Sequence, residues 1–141
     1  MAAIVALCVV GCGPSDPISR SIADKVAAGP GTRLTLTEIA TFPWDRVCVF
    51  GPYSPDEKID AVVGISGAAK RAFDIRLNEG INVVMFVRND RIVSSLAHSR
   101  RYGDFGPEVV GKCYSRNEAV FLVRKPPAGT WGDLGPWSGA G

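Results

Sequence analysis

The chain contains one histidine, His98, and its four cysteines include no Cys-x-x-Cys pair. The ligand spacing of a zinc site is therefore missing. The acidic residues do not follow a calcium-loop pattern either, so no metal or other cofactor is expected. No run approaches the roughly 20 apolar residues that a transmembrane helix needs. There is no internal repeat and no heptad. A formal net charge of +2 over 141 residues is too small to argue for nucleic acid or for a polybasic surface. Hydrolytic chemistry needs a nucleophile, a base and an orienting group, and His98 in "SLAHSRR" brings no such set. The stretch Gly64-Ile65-Ser66-Gly67-Ala68-Ala69-Lys70 lacks the Gly-Lys-Ser/Thr ending of a phosphate loop. No catalytic residue is expected, and the chain reads as non-enzymatic.

Charge is also absent from the first fifteen residues. Ala2 to Val10 is almost wholly apolar and fits the apolar region of a secretory signal peptide, about 7–15 residues long. Val9-Val10-Gly11-Cys12 follows, and it resembles the lipobox of bacterial lipoproteins. That resemblance implies that the Cys12 thiolate accepts a diacylglyceryl group, that residues 1–11 are removed, and that Cys12 becomes an acylated, palmitate-bearing N-terminus. Residues 12–16 would then be a tether, and the partner a bacterial membrane reached through Cys12, with an envelope protein as a further candidate. Gly13, rather than Asp, follows the cysteine; in the enteric sorting rule this points to the outer membrane, facing the periplasm. Signal peptides normally open with Lys or Arg, and here only the terminal amine is positive. A buried N-terminal strand is the alternative, since Ala6-Leu7-Cys8-Val9-Val10 has strand composition.

If Cys8 leaves with the leader and Cys12 is acylated, Cys48 and Cys113 remain. An even remainder in an oxidising compartment points to one disulfide; two buried thiols are the alternative.

The rest has the composition of one domain, 46% apolar and 21% charged. Asp16-Pro17 predicts a helix over 17–28, with Ile18, Ile22 and Val26 as its apolar stripe and Gly29-Pro30-Gly31 as its stop. Leu34 and Leu36 alternate with Thr35 and Thr37, which predicts a half-buried strand over 33–39. Val47 to Phe50 reads as a central strand. Ser54-Pro55-Asp56-Glu57 is a capping box opening a helix that ends near Gly64. Ile81–Val87 and Arg91–Ala97 form a hairpin about Asn89-Asp90, Ser99–Gly111 is a loop, and Ala119–Val123 is the last strand. The expected fold is α+β: an antiparallel sheet of about five strands, an N-terminal helix, and one helix after the second strand. Residues 17–125 form that domain. Half of the residues from 126 to 141 are Gly or Pro, which predicts a tail; its Trp131 and Trp137 either pack back or bind a partner.

The stretch "FPWDRVCVFGPYSPDEKI", residues 42–59, resembles a family of small uncharacterised bacterial lipoproteins and secreted proteins with a Trp-Asp, short strand, Gly-Pro-Tyr, helix pattern. Trp44, Asp45, Phe50, Pro52 and Tyr53 carry the resemblance, which implies no activity. Two readings of these residues stay open. In one, Trp44 covers the end of a sheet, Asp45 caps a turn and Tyr53 seats a helix. In the other, Trp44, Asp45, Tyr53, Arg100 and Arg101 form a binding surface, since Trp, Tyr and Arg dominate hot spots. The function expected is that of a membrane-anchored envelope lipoprotein with a binding or accessory role. A periplasmic inhibitor or small-ligand binder acting on a soluble target is the alternative.

Overall fold

Asp16 and Pro17 start the first helix as their chemistry requires. In a computed structural model that describes residues 14–126 and 130–138, helix α1 spans Pro17–Ala27. The Asp16 carboxylate accepts from the amides of Ile18 (2.8 Å) and Ser19 (3.2 Å), two donors that the helix leaves unpaired. Ile18 and Ile22 are buried in the core and Val26 packs against it. The expected leader and Cys12 lie outside the described residues.

Strand β1 (Arg33–Thr35) is shorter than its alternation predicts, because the chain turns at once into helix α2 (Leu36–Ile39). Both Leu34 and Leu36 are nevertheless fully buried. The Leu36 amide donates to the carbonyl of Ala119 (3.0 Å), and the Ala40 amide donates back to Leu36 (2.8 Å). The alternation was too short to tell a strand from a turn that buries the same two leucines.

Strands β2 (Arg46–Phe50), β3 (Ile81–Arg88) and β4 (Arg91–Ser99) follow the expected order. Between β2 and β3 lie helix α3 (Asp56–Val63) and two 3-10 turns, Ala68–Arg71 and Ile75–Leu77. Gly64 closes α3 at φ 78°, a left-handed conformation cheap only for glycine. The capping box does not form. Pro55 occupies the N-cap without a side-chain bond, and the Ser54 hydroxyl donates instead to the Gly51 carbonyl (2.7 Å). With Pro55 at the N-cap the helix starts one residue later than the box requires, which leaves Ser54 outside it, closing the tight turn after β2.

Four further strands complete the domain: β5 (Asp104–Phe105), β6 (Lys112–Ser115), β7 (Val120–Arg124) and β8 (Asp133–Pro136). The fold is α+β, and its described strands form two sheets of four rather than one of five. The first runs β4-β3-β2-β6, antiparallel throughout; the second runs β1-β7-β8-β5, parallel only between β5 and β8. Strand alternation builds the layers. Val47, Val49, Val84 and Phe86 join Leu34, Phe121, Val123 and Leu134 in a core between the sheets. Cys48, Phe50, Val83, Met85 and Val87 point the other way, against Ile59 and Val63 of α3 and Ile75. Strands β2 and β3 are thus covered on both faces, as their near-continuous apolar runs demand.

Cys48 and Cys113 form a disulfide. They are register partners on β2 and β6, so the bond pins the four-residue edge strand to the sheet.

The tail expectation is corrected. Within 126–141, β8 lies between β7 and β5 inside a sheet, and Leu134 is fully buried. Gly132 and Gly135 serve close packing. A Cβ on Gly132 would collide with Val26 of α1, and one on Gly135 would collide with the Arg124 guanidinium. Arg124 bridges Asp133 and Glu108, tying β7 to β8 and to the turn after β5. Trp137 packs back under Arg33, 4.6 Å from its ring centre.

Candidate surface around Tyr53, Arg100 and Trp131

The five residues expected to form one surface occupy the two ends of β2. At its start, Trp44 is only 2% exposed. Its indole N–H donates to the Ala40 carbonyl (3.0 Å), and its ring meets Phe86 edge-on at 5.3 Å. Arg116 stacks over that ring at 4.7 Å and donates to the Trp44 carbonyl (3.2 Å). The Asp45 carboxylate accepts from the amide of Asn89 (2.6 Å), which fastens the β3–β4 turn where Asn89 takes φ 52°. Both residues hold the sheet end together. Tyr53 stands beyond the other end of this five-residue strand, about 17 Å away at 3.4 Å per residue.

There the structure does bring two of the five together. Tyr53 has φ 63° and is 57% exposed. A left-handed backbone under an aromatic residue is costly, and the hydrogen bond that the Tyr53 amide donates to the Ile75 carbonyl (2.9 Å) holds it. The phenol donates to Glu79 (2.9 Å). That hydrogen bond, some desolvation and the carboxylate's charge hold its pKa above the ordinary value, opposed by Arg100. Arg100 donates through Nε and Nη2 to both oxygens of Asp104 (2.8 Å each) and through Nη1 to the Glu79 carbonyl. Its guanidinium stacks over Trp131 at 5.3 Å. Arg100 is accordingly held in its charged form, chiefly by Asp104. An ion pair this exposed adds little stability; it fixes where the arginine and the two rings stand. Arg101 is exposed, 6.0 Å from the centre of the Tyr102 ring.

Arg100 and Asp104 form the wall between two shallow cavities. One, about 180 Å³, is completed by Thr130 and Trp131. The other, about 210 Å³, is floored by Gly51, Pro52, Phe105, Pro107 and Val110. Sequence reasoning missed Glu79 and Asp104. The i,i+4 spacing of Arg100 and Asp104 was a usable signal, whereas Glu79 stood in a stretch without periodicity. A larger cavity, about 360 Å³, lies beside α3. Its Asp60 carboxylate accepts from the amides of Gly67 and Ala69 and so fastens a loop. No group of three His, Cys, Asp or Glu among the described residues could hold a metal.

His98 is fully buried. It pairs across the hairpin with Asn82, whose carbonyl oxygen accepts from the amide of Phe105 (3.1 Å). Neither ring nitrogen has a hydrogen-bond partner among the described residues, and the same holds for Asn82 Nδ2 and Ser19 Oγ. Burial pushes the imidazole pKa down to about 4; the Tyr102 and Gly103 carbonyls and the charges of Asp16 and Asp104 pull weakly the other way. His98 lines none of the cavities described above. The depressed pKa has a definite sign. The unfolded chain binds this proton below about pH 6.5 and the folded chain only near pH 4, so stability falls as pH drops through that window, by about 3 kcal/mol in all. Chemical denaturation between pH 7 and 4 is expected to show the slope in the native chain and to lose it in His98→Gln. An unchanged slope would assign it elsewhere. Glu108 and Glu118, whose pKa values are lowered from 4.5 by Arg124 and by Ser115 respectively, start to lose their contribution only as pH falls past that ordinary value, at the lower edge of the window.

No protein family, curated protein or solved structure matches this chain. Among the described residues, no helix is long and apolar enough to cross a membrane.

Proposed function

We propose that this chain is a lipid-anchored protein of the bacterial envelope, held through Cys12, that works by binding rather than by chemistry. The observation that carries the binding half is the exposed Tyr53 ring, fixed on a left-handed backbone beside Arg100 and Trp131. Strained, exposed aromatics held by a surrounding network are a recurrent feature of binding sites. The apolar leader and the Gly11-Cys12 pair support the anchor. So does the disulfide, because such bonds persist in oxidising compartments.

Cys12→Ala tests the anchor. The native chain is expected in the membrane fraction and the variant outside it, because a stable hold needs more than one acyl chain. Equal fractionation of the two would sink the assignment. Recovery of the variant bound to a soluble enzyme would favour an inhibitor instead.

A further inference from the structure

The proposed anchor leaves almost no chain between lipid and domain. Only Gly13 separates Cys12 from Pro14, the first described residue. At about 3.5 Å per extended residue, the acylated cysteine lies within about 7 Å of Pro14. Whichever face surrounds Pro14 must then meet the headgroups. Arg20 folds back onto this point, donating to the carbonyls of Pro14 and Ser15. Asp16 sits close enough to act on His98, and α1 packs on the 3-10 turn Arg100–Tyr102. Asp16, two residues after Pro14, therefore stands near the His98 end of β4, the end of the sheet that leads into Arg100 and carries Tyr53.

We propose, on the basis of the anchor reading, that this end lies on the protein's own membrane. Tyr53, Leu77 and Trp131 then stand in the interfacial layer, and Arg20 and Arg101 face anionic phospholipid headgroups. The three apolar side chains are 57%, 74% and 45% exposed. Tyr and Trp favour the membrane interface because one end of each ring is apolar and the other polar. Of the carboxylates nearby, Asp104 is paired with Arg100, while Glu79 and Asp16 keep their charge and are held in place by the Tyr53 phenol and the amides of α1. The exposed arginines, Arg20 and Arg101, are left to face outward. The opposite end, with the Asn89–Asp90 turn, faces away from the bilayer.

The test uses the acylated full chain in phosphatidylglycerol vesicles whose acyl chains carry bromine, a contact quencher of tryptophan. Trp137→Phe leaves Trp131 and the buried Trp44 as reporters. The expected result is loss of emission from this variant, and no loss once Trp131→Phe is added, because Trp44 lies at the far end of β2. Should the chain float with the vesicles while Trp131 keeps its emission, the anchor stands and this orientation is overturned, leaving the face free for a protein partner. A chain that does not float overturns both. A second measurement is independent of the tryptophans. Arg101→Gln in the Cys12→Ala chain is expected to weaken association with the same lipid about fivefold, with little binding to phosphatidylcholine in either form. Equal affinity of the two forms would contradict the proposal.

Discussion

Leu134→Ala is expected to destabilise the domain by about 2–5 kcal/mol, the range for removing a buried leucine side chain. Leu134 is fully buried in the core shared by the two sheets. Its strand lies between β7 and β5, bonded to both. Rigid surroundings favour the upper part of that range, since Arg124 clasps β8 through Asp133 and across Gly135. Such a loss is a large share of the 5–15 kcal/mol by which a domain of this size is stable. Denaturant titration of the two chains reads it directly. A change below about 0.5 kcal/mol, the ordinary effect of a surface substitution, would mean that the Gly- and Pro-rich end is a tail after all.

The disulfide supplies the second large effect. Cys48 and Cys113 stand 65 residues apart, and closing a loop of that length stabilises by about 4 kcal/mol in the chain-entropy account. The bond also holds β6, a strand of four residues with no strand on its far side among the described residues. Cys48→Ala/Cys113→Ala is expected to lose that amount and slightly more, because Cys48 is fully buried and alanine leaves a small void. Reductant separates the two contributions. The native chain is expected to lose most of its extra stability when reduced, whereas the double variant is expected to be indifferent. A native chain equally stable in both conditions would show that the link contributes nothing.

The parts of this fold legible in the sequence are those governed by local chemistry. Asp16-Pro17 marked α1 because capping acts within three residues. The runs Val47–Phe50 and Ile81–Val87 marked the central strands because burial on both faces requires continuous apolar character. The capping box at Ser54 failed because the helix starts one residue later, with Pro55 at its N-cap, so Ser54 closes the turn onto Gly51 instead. Strands β5, β6 and β8 have two to four residues each, too few to display a period. They exist because longer neighbours supply their hydrogen bonds. Glycine misled most at the C-terminus. Read as flexibility, it predicted a tail; in the fold it makes room for Val26 and Arg124.

The candidate surface followed the same division. Trp44 and Tyr53 are close in sequence, but the strand between them carries them to opposite ends of a sheet. Tyr53 and Arg100, 47 positions apart, meet because β2 and β4 end on the same side. Arg100 was expected for its charge alone. Its role comes from Asp104, which the i,i+4 spacing offered, and from Glu79 and Trp131, residues of two other segments whose meeting only the topology arranges.

The anchored, disulfide-closed envelope domain is tested most directly by the intact mass of the native chain from the membrane fraction, before and after reduction. Acylation at Cys12 predicts residues 12–141 plus lipid, gaining two hydrogens when the Cys48–Cys113 bond opens. An unmodified chain that still carries residues 2–11 would contradict it, and would return Ala2 to Val10 to the folded protein.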